Sequence, residues 1–327
     1  MHEYENFNDC YLDLASLIIN EPQYISSPRG SKIKERLVCT FKIKNPRDRM
    51  LFVPKRKFSV HYLIAELLWY LSGENKTEWI SNYSSFWKNI SDDGETANSA
   101  YGARIFKTNS AIASSSIIQW DYIKNELIKD SDSRRAVIHI RSAWDSFRAK
   151  LDVPCTLTLQ FFIRDKKLHM VVNMRSSDLI LGIAYDIPAF TIMQELLALE
   201  LGVGIGEYIH TSNSLHIYER HFDMAKEMIS DSEQSKAKHL HAKFGQMPSM
   251  PSMPPTDRLF AIEANLRIAK NNNDINQVLV ASKDLEPYWF DWVKVLASHR
   301  CKKLKDNDTS IELINSTSYA GFHSLKD

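Results

Sequence analysis

The sequence predicts an α+β domain, a mixed β-sheet packed with buried helices, followed by an extra helical segment at its C-terminal end. Three observations predict it. Alternating or β-branched stretches at residues 33–53, 135–141 and 157–173 read as strands. Two stretches that are apolar on nearly every face, 60–72 and 188–202, read as buried helices. A proline- and methionine-rich run, GQMPSMPSMPP at 245–255, separates these from amphipathic helical patterns downstream.

In chain order, IKERLVCTFKIKNPRDRMLFV (33–53) alternates around Pro46-Arg47-Asp48 and is expected to form a hairpin. VHYLIAELLWYLS (60–72) ends at Gly73, a glycine stop for a helix. Arg164-Asp165-Lys166-Lys167 is expected to turn one strand into the next within 157–173. In PAFTIMQELLALELG (188–202), Pro188 is expected in the first helical turn and Gly202 past the end. Beyond the linker, TDRLFAIEANLRIAK and YWFDWVKVLASHRCKKL read as amphipathic helices. The polar stretch after Lys305 is expected to be loosely held.

The 327 residues suffice for a substantial core, and 44% hydrophobic with 25% charged residues is ordinary for a globular chain. A net charge of +1 gives no global basic field, so no nucleic-acid partner is expected. A mononucleotide needs only a local basic cluster. Cys10, Cys39, Cys155 and Cys301 lie far apart without metal-ligand spacing, which points to reduced thiols in a cytoplasm and to no metal. The acidic start MHEYENFNDCYLD lacks an apolar signal region, and no apolar run is read as approaching the roughly 18–20 residues that span a bilayer. A soluble, cytoplasmic protein without a membrane partner is expected.

Chemistry concentrates between residues 154 and 221. A cysteine among β-branched residues is most often a small buried hydrophobe. Here Pro154 fixes the backbone before Cys155, and the strand that follows leads to Arg175-Ser176-Ser177-Asp178. A free thiol is mostly protonated at neutral pH, so a nucleophilic role requires nearby positive charge. Arg175 offers a bidentate fork for phosphate oxygens and Ser176 a hydroxyl. The motif continues through Leu181-Gly182 to Tyr185-Asp186-Ile187, and HTSNSLHIY (210–218) places His216 and Tyr218 on one strand face. Glu66 sits among apolar neighbours, where burial raises a carboxyl pKa and suits proton transfer through water.

Over about residues 25–225 these motifs resemble the thymidylate synthase family, most closely its cytidylate-modifying branch, the deoxycytidylate hydroxymethylases. The resemblance implies a thymidylate synthase-like catalytic domain at 1–244, the linker at 245–255 and a helical extension at 256–327 packed on the same domain. It implies Cys155 as nucleophile, with Glu66, Asp186 and Tyr101 catalytic. Arg29, Arg134, Arg135, Arg175, Ser176, His216 and Tyr218 would bind the nucleotide. Trp87, Asp178, Gly182 and Lys55 would face the folate, the register between Lys55 and Arg56 being open because VPKRK carries an extra residue. It further implies a homodimer in which Arg134 and Arg135, in Asp132-Ser133-Arg134-Arg135, reach the partner's phosphate site.

Three departures from thymidylate synthase point to the substrate and the product. The family's uracil readers carry asparagine where this chain has Asp186. Cytosine presents an N3 acceptor and an amino donor, which a protonated aspartic acid satisfies on both atoms. Thr156 follows the cysteine where thymidylate synthases have histidine, and no counterpart of their short apolar carboxy-terminal cap is found. The expected reaction is transfer of the one-carbon unit of 5,10-methylenetetrahydrofolate to C5 of dCMP, with addition of water. CMP hydroxymethylation in a nucleoside-antibiotic pathway, dUMP methylation, and a non-catalytic nucleotide- or RNA-binding descendant are the alternatives.

Overall fold

The computed structural model describes residues 1–107, 118–148 and 151–325. Among them the strands β1 (His2–Tyr4), β2 (Tyr24–Ser26), β3 (Ile33–Ile43), β4 (Val137–His139), β5 (Thr156–Arg164), β6 (Lys167–Met174), β7 (Ser177–Asp178) and β8 (Gly204–Tyr218) form one sheet. Its order is β1-β3-β8-β6-β5-β4, with β2 added on β3 and β7 on β8. The sheet is mixed: β8 runs antiparallel to β3 but parallel to β6 and β7. With its helices this is the expected α+β architecture, a mixed sheet packed with buried helices.

Alternation sorts each strand into two faces. Phe41, Leu159, Phe161, Met170, Val172 and Tyr208 are fully buried beneath the helices Phe7–Asn20 and Ala184–Leu201. Burying side chains of this size contributes about 1.5–3 kcal/mol each relative to exposure. The opposite face stays half-exposed. There Thr40 and Thr211 pair at 3.1 Å, Asn173 donates to Thr158 at 3.1 Å, and Val171 and Ile209 lie alongside.

The β5–β6 hairpin forms where Arg164 to Lys167 predicts it. Asp165 (φ 50°) and Lys166 (φ 58°) are both left-handed, the tight two-residue turn whose twist suits paired strands. Residues 33–53 do not form a hairpin. Strand β3 is real, but after Pro46-Arg47-Asp48 the run Met50-Leu51-Phe52-Val53 is buried on every side, at 0 to 2% exposure, so no alternation remains to build a second strand. Its backbone is held instead by the side chain of Asn8, which accepts from Phe52 N at 2.9 Å.

The second buried helix begins earlier than Pro188 implies. Asp178 caps it, accepting from Ile180 N at 2.8 Å and Leu181 N at 3.3 Å, and a wide turn at Leu179–Ile183 leads into Ala184–Leu201. Pro188 therefore lies inside the helix. By length and composition Leu179–Leu201 could cross a bilayer, contrary to the expectation that no such run exists; 78% of its apolar window is buried in the core.

The chain after residue 255 adds helices Thr256–Ile268, Asn272–Ala281, Pro287–Lys303 and Asn307–Asn315. The first and third pack against the helix Val60–Leu71. The stretch after Lys305 is held, not loose. Asp291, on Pro287–Lys303, accepts from Ser318 N at 2.8 Å and Tyr319 N at 3.1 Å, and Phe322 is 3% exposed. Its polar composition conceals these two anchors.

The proline- and methionine-rich run is likewise tied down. Met247 and Met250 are buried, and Met250 N donates 2.9 Å to Glu195 Oε1, whose other oxygen pairs with buried Arg49. Truncating one member of a buried ion pair strands the other charge. Glu195→Ala is therefore expected to destabilise the protein by about 3–5 kcal/mol in urea unfolding, whereas replacing both Arg49 and Glu195 with methionine should cost clearly less.

Candidate active site

Hairpin geometry puts the thiol beside its arginine. Cys155 precedes β5 and Arg175 follows β6, and Arg175 N donates 2.9 Å to Cys155 O across the strand ends. The Arg175 guanidinium then folds back: Nε donates to Pro154 O at 2.9 Å, Nη2 to Val153 O at 2.8 Å, and Nη2 lies 3.5 Å from Cys155 Sγ. Nη1 is the arm not spent on these contacts. Burial raises the thiol pKa, the charges of Arg175 and Arg29 lower it, and Asp186 and Asp152 raise it again. Cys10, Cys39 and Cys301 are also free but are buried core residues.

The helix Val60–Leu71 brings the second reactive group. Glu66 is 4% exposed, and its carboxyl is raised to about 8, mainly by burial and further by Asp186, against hydrogen bonding from Tyr62 and Tyr70. Tyr62, Glu66 and Tyr70 sit four residues apart, so they share one helix face. Tyr62 donates to Glu66 Oε1 at 2.6 Å and accepts from Trp87 Nε1 at 2.9 Å.

The capped helix supplies the third. Burial, reinforced by the Asp178 charge, raises Asp186 to about 7. Gly182 leaves it room, since a Cβ there would stand 3.1 Å from Asp186 Oδ2. Tyr101 is 7% exposed and lies within the fields of Asp186 and Cys155. It is placed by the next residue: a Cβ on Gly102 would meet Tyr70 O at 2.2 Å, so only glycine lets the helix Tyr101–Ile105 rest on the backbone of Val60–Leu71.

Strand β8 carries His216 and Tyr218, the pair expected to read the sugar. His216 is 4% exposed and pairs in register with Asp178 on β7, and its ring stands 5.1 Å from that of Tyr218 on the same strand face. Ser176 is half-buried directly after Arg175. Asp178 spends Oδ1 on its capping bonds while Oδ2 is buried without a partner. A folate fits that arrangement, because a pterin ring offers N–H donors to the unpartnered Asp178 oxygen and the exposed Leu181 beside it offers apolar contact.

Several residues lie elsewhere. Lys55 points outward and pairs with Glu227 at 2.8 Å. Its neighbour Arg56 is buried instead, donating to Ile180 O at 2.6 Å with its guanidinium 5.2 Å from the Tyr185 ring. The left-handed Lys57 (φ 50°) follows this turn. Arg134 and Arg135 are exposed beside β4, and Arg134 O accepts from Gln160 at the half-exposed sheet face. Trp87, 6% exposed, is packed edge-on to Trp69 and spends its N–H on Tyr62. Tyr62 and Tyr70 were not among the site residues read from the sequence, and Arg56 was there only as the alternative register to Lys55. The four-residue spacing of Tyr62 and Tyr70 around Glu66 is the signal that marks the first two.

A sequence model of the thymidylate synthase family matches residues 9–255. A deoxyuridylate hydroxymethyltransferase of Bacillus phage SP01 is 34% identical over 215 residues, covering 64% of this chain. The match spans 56% of that relative's own length. A thymidylate synthase of Corynebacterium aurimucosum is 27% identical over 228 residues, covering 67% of this chain and 81% of the relative.

The thiol's surroundings make a prediction independent of any substrate. Arg175 favours the thiolate, so Arg175→Gln should slow alkylation of Cys155 by iodoacetamide near pH 8 about 3- to 10-fold, read by mass spectrometry of the Cys155 peptide. An unchanged rate would show that the guanidinium does not act on the sulfur.

Proposed function

Because this chain belongs to the thymidylate synthase family, we propose that it transfers the one-carbon unit of 5,10-methylenetetrahydrofolate to C5 of dCMP, with addition of water, giving 5-hydroxymethyl-dCMP. The observation that carries the choice of base is Asp186, a carboxyl raised to about 7 beside the Cys155 thiol. A carboxylic acid that keeps its proton near neutrality donates to cytosine N3 and accepts from the amino group.

In this reading Cys155 Sγ adds to C6 of the pyrimidine, and Asp186 supports the charge that develops at N3. The resulting nucleophilic C5 would take up the one-carbon unit at the oxidation level of formaldehyde and lose its proton; tetrahydrofolate departs, water adds to the methylene left on C5, and the C6–S bond breaks to return the Cys155 thiol. Asp178, Gly182 and Leu181 would hold that folate. Glu66, buried and raised to about 8, is suited to take a proton from the water that completes the hydroxymethyl group. Arg29, Arg175 and Ser176 would hold the phosphate, with His216 and Tyr218 on the sugar.

The half-exposed face of the sheet supports a homodimer. Its row of Thr40, Thr211, Asn173 and Thr158, with Val171 and Ile209 beside it, offers two-fold packing, and Arg134 and Arg135 stand at its margin, free to reach a partner's phosphate site.

A second reading is hydroxymethylation of dUMP, favoured by the name of the phage relative. The two separate in one assay: dCMP, CMP and dUMP are each offered with methylenetetrahydrofolate and the product is weighed. The proposal expects dCMP to gain the mass of one formaldehyde; a methyl product, or turnover of dUMP alone, overturns it. Asp186→Asn should lower kcat/KM for dCMP about 10- to 100-fold, the cost of one or two mispaired buried polar groups. The competent form of Asp186 is protonated, so kcat/KM for dCMP should fall as pH rises through about 7, and Asp186→Asn should remove that limb.

A further inference from the structure

We propose that Tyr62 is a positioning residue for Glu66, holding its carboxyl in one orientation and fixing which oxygen carries the transferred proton. The proposal rests on the role given to Glu66 above. It starts from an atom that cannot reverse its role. The Trp87 indole N–H only donates, and at 2.9 Å it donates to the Tyr62 hydroxyl. The single phenolic hydrogen is then committed to Glu66 Oε1, 2.6 Å away. While that bond holds Oε1 is an acceptor, which leaves Oε2 as the oxygen that takes up or releases the proton of Glu66.

The position of Tyr62 is set twice over. It lies one helical turn before Glu66 on the same face, and its ring meets Tyr185 edge-on at 4.8 Å and 78°. Tyr185 immediately precedes Asp186, and its hydroxyl accepts from Ser59 N, at the start of the Glu66 helix, at 3.1 Å. The phenol thus adds direction to a ring already locked by packing. Removing only its oxygen leaves that packing in place.

The groups acting on Glu66 come from two elements. On its own helix Tyr62 and Tyr70 favour the carboxylate; on Ala184–Leu201 Asp186 disfavours it. Tyr101, on Tyr101–Ile105, faces Tyr70 and Asp186. Loss of the Tyr62 hydroxyl removes a donor to the charged form, so Glu66 must become harder to ionise.

The test uses the full chain carrying Tyr62→Phe. In the resting protein, without nucleotide, infrared difference titration of the Glu66 carboxyl, assigned with Glu66→Gln, should move upward by about one pH unit. With the nucleotide that the wild type turns over, kcat should fall about 10- to 100-fold while KM changes less than about 3-fold. The limb of the kcat–pH profile that reports Glu66 should move with the titration. In a Glu66→Gln background the same substitution should cost no more than about 2-fold, since a residue acting through Glu66 has nothing left to act on. An unshifted titration, or the full penalty persisting with Glu66→Gln, overturns the proposal. A wild type inert towards dCMP, CMP and dUMP sinks the function instead, while the titration still decides on Tyr62.

Discussion

Two carboxyl groups and a thiol share one water-poor pocket, and the rest of the site follows from that desolvation. Burial is the largest cause acting on Glu66, Asp186 and Cys155 alike, and in each it favours the uncharged form. Glu66 and Asp186 also act on one another: ionised Asp186 makes Glu66 harder to ionise. Their protons therefore leave in steps that belong to the pair more than to either residue. Such an environment survives only if the pocket walls do not yield. Close contacts supply that rigidity, such as the Tyr101-Gly102 turn resting on the Tyr70 backbone and the Pro287–Lys303 helix packed on Val60–Leu71.

The sheet accounts for how residues so far apart in sequence meet. Strand β8 pairs with β3, β6 and β7, so it carries His216 and Tyr218 past both the N-terminal strand and the Arg175 segment. The β5–β6 hairpin brings Cys155 against Arg175, and the bulge between Thr156 and Thr158 falls at the end where the thiol emerges. A bulge re-aims the residues next to it, which suits a strand end that must present sulfur and not simply continue the ladder.

That hairpin is also the clearest case of a site legible in sequence. A two-residue turn at Asp165-Lys166 sets Arg164 against Lys167 and so brings Cys155 to the level of Arg175 and Ser176; the register shift between Thr156 and Thr158 then selects Arg175. The cap at Asp178 and the crowding at Gly182 were present in the same motif, though the start of that helix was obscured by the more conspicuous Pro188. Other features depended on contacts no local pattern encodes. Asp291 anchors Ser318 across 27 residues, and Trp87 reaches Tyr62 across 25. The apolar run 50–53 imitates a strand until its burial on all sides removes the reason for one. Between Lys55 and Arg56, burial decided: the guanidinium entered the protein over Tyr185 and the ammonium stayed in solvent with Glu227.

The electrostatics of the site bear on how it could admit a phosphorylated ligand. Three ionised acids within one poorly solvated space would repel each other and any phosphate dianion, because attraction and repulsion both strengthen as water is excluded. Burial holds Glu66 and the Cys155 thiol mostly protonated near neutrality and lifts Asp186 to about 7, so the positive charges of Arg29 and Arg175 stand against less opposing charge. In the resting protein Arg175 is occupied with the carbonyls of Val153 and Pro154 and lies against Sγ. In the proposed function that guanidinium would serve phosphate and sulfur from one spot, between the strand ends. Binding the ligand and readying the thiol are, on this geometry, two uses of one cation.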